Sequence, residues 1–253
     1  FEKAGVGTDT SALERLAALG AAGAVKAGAV PSALVFGELL TPEDVFHLLD
    51  LKEDDIFYDL GSGRGQVVLA AALSGSPPQK CVGIELMEPR HEAALAAQRV
   101  APPTVQRLCE FRCQDVLACC LQDASKVYLC NAAFPRHLNA VFAAALQMED
   151  APHLEGLVTC AALPEESLPK ASLQLVRVGV CSATWATEGA PLFYYRRRGA
   201  SNGSSPHIEV PEKVRYEASR QIEAAAHRPG LSSTDERSLL RSAVLASTFS
   251  SLH

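Results

Sequence analysis

Apolar and polar positions change rhythm along this chain in a way that predicts strands and helices taking turns. Residues 56–60, Ile-Phe-Tyr-Asp-Leu, form an apolar and aromatic run that reads as a buried strand, and an apolar helix is expected over 66–73. The same alternation places further strands at 80–85, 105–113, 126–130 and 154–161, with helices at 90–99 and 136–148. Past residue 170 the rhythm changes. Runs over 173–180, 181–185 and 189–195 predict strands around a short turn, so a mostly parallel βα succession should end in an antiparallel hairpin. Upstream, a helix is expected over 10–19 and another after Thr41-Pro42-Glu43-Asp44, where Thr caps, Pro takes the first helical position and the acids meet the helix dipole. Gly199 to Pro206 is a polar linker, followed by a helix near Pro211 and a second one capped by Ser233 and Glu236. Three regions follow: 1–50 as a helical segment with a covering loop, 51–198 as the core, and 199–253 as linker and helical tail.

The junction between the first core strand and its helix carries the chemistry. Asp59-Leu60-Gly61-Ser62-Gly63-Arg64-Gly65-Gln66 places three alternate glycines where the chain must turn sharply and bring backbone N–H groups to a ligand at a helix N-terminus. Gln66 stands where a dinucleotide fingerprint needs its last glycine, and no Gly-Lys-Ser/Thr follows, so nicotinamide and Walker-type phosphate binding are disfavoured. Asp59, two positions before the first glycine, would repel an anion and attract a cation; a sulfonium bearing an amino acid fits that charge. Glu85 ends the next strand, where a carboxylate can accept two ribose hydroxyls. Asp115 and Val116 follow the third strand and suit an adenine amino group and ring, with a simple helix cap as the alternative for Asp115.

D-L-G-x-G-x-G resembles the first motif of S-adenosylmethionine-dependent methyltransferases, which implies an α/β fold with a Rossmann-like seven-strand sheet and helices on both faces. The likeness is narrower still. Phe36-Gly37-Glu38, the Gly65-Gln66-Val67-Val68-Leu69 run, Gly83-Ile84-Glu85, Asp115-Val116-Leu117, Asn131-Ala132-Ala133-Phe134, Ser182-Ala183-Thr184-Trp185 and Pro191-Leu192-Phe193-Tyr194-Tyr195 together resemble the disruptor-of-telomeric-silencing family of histone lysine methyltransferases lacking a SET domain. The resemblance implies that Phe36, Gly37 and Glu38 fold over the cofactor, that Asp59, Gly61, Gly63, Gly65 and Gln66 hold its methionine part, Glu85 its ribose, and Asp115 with Val116 its adenine. It further implies catalytic positions for Asn131, which also borders the cofactor, and for Tyr195, at the channel admitting a lysine of histone three in the nucleosome. A nuclear location goes with that substrate, a cytoplasmic one with a non-histone substrate. Cys130 replaces an Asn of the family and Ala132 a Phe, which alters the channel wall and leaves the cofactor residues intact.

Composition changes this picture in three places. Net charge is −6, yet residues 196–253 carry 9 Lys and Arg against 6 Asp and Glu, so a basic tail follows an acidic body and admits a weak contact with DNA. Eight cysteines fall mostly in strand-like runs without C-x-x-C spacing, which favours a reducing compartment and no metal site. No apolar run reaches membrane-spanning length. A methyltransferase for a non-histone lysine or small molecule, and an inactive binding module on the same fold, remain the alternatives.

Overall fold

A computed structural model describes residues 38–132, 134, 136–146, 151–164, 167–168, 173–197 and 210–226. The helix expected over 10–19, Phe36 and Gly37, the linker after residue 198 and the helix after Ser233 lie outside the described residues. In chain order the elements are α1 (Glu43–Leu49), β1 (Ile56–Leu60), α2 (Gln66–Ala72), β2 (Lys80–Glu85), α3 (Glu88–Arg99), α4 (Pro103–Leu108), β3 (Cys109–Cys113), β4 (Lys126–Leu129), α5 (Arg136–Ala145), β5 (Gly156–Thr159), β6 (Leu173–Ala183), β7 (Ala186–Arg197) and α6 (Glu212–Ala226).

Seven strands form one sheet in the order β3-β2-β1-β4-β5-β7-β6. Neighbours from β3 to β5 pair in parallel, whereas β7 runs antiparallel to both β5 and β6. The expected Rossmann-like sheet with its terminal hairpin is what the chain builds. Because β1 lies between β2 and β4, the winding reverses there, and a crevice opens beyond the carboxyl ends of β1 and β4.

Alternation along the strands divides the core in two. Phe57 and Tyr128 face the layer of α1, α2 and α4, with Val45, Leu48, Leu49, Val68 and Val105. Tyr58, Leu60, Val127 and Leu129 face α5 and α6, with Phe142, Leu146 and Ala218. Asp59, one residue after Tyr58, therefore shares its face with Phe57 and Tyr128. The tail is partly drawn in: Val210, Val214 and Ala218 are buried, so α6 docks on the sheet through one apolar stripe.

Three local expectations are corrected. The strand expected over 105–113 is a helix, α4, followed by a five-residue strand, β3. Pro103 provides a pre-set helical φ at its start, and the Gln106 amide donates to the Arg99 and Ala101 carbonyls, closing the connection from α3. The hydroxyl of Thr41 does not cap α1; it donates to the Asp44 carboxylate and accepts from the Ser182 N–H at 2.9 Å. The two runs expected over 173–185 are one continuous strand, and Trp185 sits in the turn.

Candidate functional site

At the crevice, the glycine turn bends as its spacing required. Gly61, Gly63 and Gly65 have φ of 86°, 56° and 81°, a region that side chains disfavour. The N–H groups of Gly61 and Ser62 both donate to the Ile84 carbonyl at 2.8 Å, which fastens the turn to the tip of β2. Glu85 is fastened in return. Its Oε2 accepts from the Gly63 N–H and its Oε1 from the Met87 N–H, each at 2.8 Å. Each carboxylate oxygen keeps a further lone pair, so the group is oriented while still able to accept hydroxyls.

Asp59 is the anomaly. Its carboxylate is buried at 1% exposure, and Oδ1 has no hydrogen-bond partner among the described residues. The Ser62 hydroxyl, buried beside it in the turn, is likewise without a partner among them. Burial holds the Asp59 carboxyl well above the usual range, and Cys130, Glu38 and Glu85 add to the effect while Arg90 opposes it. A buried acid without a partner is costly unless something cationic or hydrogen-bonding meets it.

Glu38 closes the acidic ring. Its carboxyl is also raised by burial, with Arg90 and Arg64 pulling it down. The Arg90 guanidinium donates to Glu38 at 3.0 Å and lies 3.8 Å from Glu85, directly over Gly63. Three carboxylates thus gather around Arg90, with Arg64 also acting on Glu38.

The covering segment is positioned by a partner that the sequence does not reveal. Two hydrogen bonds join Glu38 to Thr184, the Glu38 N–H donating to Thr184 Oγ1 at 3.0 Å and the Glu38 carbonyl accepting from the Thr184 N–H at 3.0 Å. Leu39 bridges to Ala183 and the Leu40 N–H donates to Ser182 at 2.7 Å, so the segment runs as a short strand beside the β6–β7 turn. The Gln66 amide donates to the Leu39 carbonyl at 2.9 Å and ties that segment to α2.

Asp115 caps the 3-10 turn Val116–Ala118 through Oδ1, which accepts from the Leu117 N–H at 2.9 Å, and the Gln114 N–H donates to the Glu85 carbonyl. Val116 is half-buried. Asn131 is fully buried and fully engaged. Its Nδ2 donates to Asn139 Oδ1 at 2.8 Å and to the Ala161 carbonyl at 3.0 Å, and its Oδ1 accepts from the Ala161 N–H at 2.7 Å. Tyr195 is buried on β7, its hydroxyl accepting from the Leu163 N–H at 2.8 Å, with burial pushing its pKa up to about 12. Both side chains grip the loop that follows β5. Asn139 on α5 was not legible as functional; its only trace in the sequence is a polar residue on an otherwise apolar helix face. Among the described residues no group of His, Cys, Asp and Glu could hold a metal, and no helix is long and apolar enough to cross a membrane.

Comparison with known proteins bears on this geometry. Residues 22–111 match the family model described as histone methylation protein DOT1, so the resemblance to the disruptor-of-telomeric-silencing family holds over that stretch. A histone-lysine N-methyltransferase, H3 lysine-79 specific, of Chaetomium globosum is 35% identical over 118 residues, covering 42% of this chain and 23% of that protein. The chain therefore spans about a quarter of the length of that curated relative. Among solved structures, a candidate tRNA (m1A22) methyltransferase of Streptococcus pneumoniae bound to S-adenosyl-L-methionine superimposes with a TM-score of 0.51 at 14% identity, over 81% of this chain and 97% of that one. An RNA methyltransferase of Salinibacter ruber bound to S-adenosyl-L-homocysteine gives 0.46 at 22% identity, over 70% and 99%. The Streptococcus pneumoniae structure shares the fold.

Proposed function

We propose that this chain is the catalytic region of a DOT1-type, S-adenosylmethionine-dependent protein lysine methyltransferase that acts on histone three in nucleosomes, and hence in the nucleus. One observation carries the reading: a buried Asp59 whose Oδ1 has no hydrogen-bond partner among the described residues, beside an oriented Glu85 at neighbouring strand tips, under a turn of three positive-φ glycines. The family match over 22–111 and the likeness to a lysine-79-specific relative support the substrate class.

The residues present fit the cofactor. Asp59 and Glu38 would meet its cationic amino-acid part, Glu85 its ribose hydroxyls, and Val116 with the second oxygen of Asp115 its adenine. When bound, S-adenosylmethionine supplies a methyl group on a sulfonium, a leaving group that demands no strong base. The protein's share is position and exclusion of water. Burial around Phe134, whose ring packs on Phe142 with centroids 6.4 Å apart, disfavours a charged lysine and so favours the neutral amine that attacks. Asn131 and Tyr195 serve as positioning residues, because their polar atoms already hold Ala161 and Leu163.

Two measurements check this reading. Recombinant nucleosomes, free histones and a histone peptide incubated with methyl-labelled cofactor should take up label on nucleosomal histone three, with the lysine mapped by mass spectrometry. Label confined to RNA or small molecules in a cell extract would overturn the substrate class. Asn139→Ala removes the acceptor of a buried Asn131 N–H, at a cost of about 1–3 kcal/mol. Turnover should fall while affinity for S-adenosylhomocysteine holds; equal losses in both would give Asn139 a general structural role instead.

A further inference from the structure

We infer that Cys130 and Cys160 form a peroxide-sensitive thiol pair, a modification site beside the crevice at which a disulfide closes and reopens. Leu129 and Thr159 are register partners at the ends of β4 and β5, and the Cys160 N–H still donates to the Leu129 carbonyl at 3.3 Å. Cys130 and Cys160 are thus the next pair along the same two parallel strands. Adjacent strands lie about 4.7–4.9 Å apart, inside the Cα separation of about 4.4–6.8 Å that a disulfide spans. The side chains of such partners point to the same face, and the two thiols lie close enough to shift each other's acidity. The Tyr128 hydroxyl lies 3.2 Å from Cys160 Sγ on that face.

The two cysteines differ in residue burial and in acidity. Cys130 is half-buried, whereas Cys160 is buried. The hydrogen bond from Cys160 pulls the Cys130 thiol down, and the same contact, together with burial, pushes Cys160 up. Cys130 therefore supplies the thiolate. Its sulfur attacks one oxygen of hydrogen peroxide, the O–O bond breaks, and the departing hydroxide takes a proton to become water, leaving Cys130 as a sulfenic acid. The Cys160 sulfur then attacks the Cys130 sulfur; the S–O bond breaks and the hydroxyl leaves as water with the Cys160 proton. Two thiols are oxidised and one peroxide is reduced to two waters.

The molecule contains its own comparison. Cys81 and Cys109 are also register partners on adjacent parallel strands, but both are buried, and burial raises both thiols, Cys109 to about 12. They should stay reduced. The consequence of linking Cys130 is local: it precedes Asn131, whose amide holds Ala161, the residue after Cys160, and it adjoins Asp59. An effect on methyl transfer rests on the proposed function, whereas the linkage itself does not.

The test uses the full chain with hydrogen peroxide as the probe. Trypsin places Cys130 in peptide 127–136 and Cys160 in peptide 137–170, each the sole cysteine of its peptide. Peroxide should join these two peptides with loss of two hydrogens, dithiothreitol should separate them, and peptides 81–90 and 108–112 should remain free thiols. Cys130→Ser should abolish the link. Methyl transfer by the wild type should fall with the link and return on reduction, a response that Cys130→Ser loses. Overoxidation of Cys130 without a link, a link from Cys160 to Cys181, or joining of Cys81 to Cys109 at the same rate would each overturn the assignment. A link without change in measurable methyl transfer would overturn its coupling to the site.

Discussion

Replacing Gly63 with valine should eliminate cofactor binding and lower the melting temperature, the largest effect expected of any single change in the turn. The φ of Gly63 is +56°, where a side chain costs roughly 1–2 kcal/mol and a β-branched one more. The added carbon also displaces a neighbour. A Cβ on Gly63 would lie 2.1 Å from Arg90 Nη2, so the guanidinium must shift, which perturbs its contacts with Glu38 and Glu85. The new side chain would then stand where the backbone N–H meets Glu85, over the surface that a ligand must approach. Calorimetry with S-adenosylhomocysteine should show no binding, alongside a drop in Tm of roughly 2–4 °C for each kcal/mol lost. Gly75→Ala is the matched control, since nothing lies within 4 Å of the added carbon and binding should not change. Wild-type affinity in Gly63→Val would show that the cofactor lies elsewhere.

Asp59→Asn should stabilise the free protein and cripple binding, two effects of opposite sign at one position. The folded state holds this carboxyl well above its unfolded value. Its contribution to stability is therefore fully present only below the ordinary Asp value of about 3.9, and is lost as pH rises through the higher folded-state value. Near neutrality the native state carries either a proton or a desolvated charge. An amide removes that penalty, so the variant should melt higher than wild type, and the gap should widen as pH rises from 4 toward neutrality, about 3 units. Affinity should fall because a charge-assisted hydrogen bond contributes about 1.5–3 kcal/mol, roughly tenfold to a hundredfold in Kd. A variant with unchanged Kd would make Asp59 a structural residue. One that melts lower at neutral pH would show that Oδ1 has a partner in solution.

The division between what was legible and what was not follows the range of the interactions involved. Period-two and helical spacing marked β1, α2, β2 and the terminal hairpin correctly, because local sequence decides which face of an element can be buried. The same signals misjudge residues 105–108. There, a short apolar run was read as part of a strand, although Pro103 and the Gln106 side chain set a single helical turn and a half before β3 begins. The motif segments at Glu38 and Ser182-Thr184 were both recognisable, yet nothing local showed that they hydrogen-bond to each other across 146 residues. Gln66, read as a cofactor ligand, uses its amide on Leu39.

The sequence by itself determined the alternation of strands and helices outside α4, the glycine turn, and the acids at the tips of β1 and β2, since each depends on residues within one βα unit. Only the tertiary structure decided that Asp59 Oδ1 has no partner among the described residues, that Arg90 reaches over Gly63 to two carboxylates, that Asn139 holds Asn131, and that Cys130 and Cys160 follow paired residues of β4 and β5. Those four facts depend on which strands become neighbours, and that is fixed by packing of the whole sheet, a global minimum that no window along the chain contains.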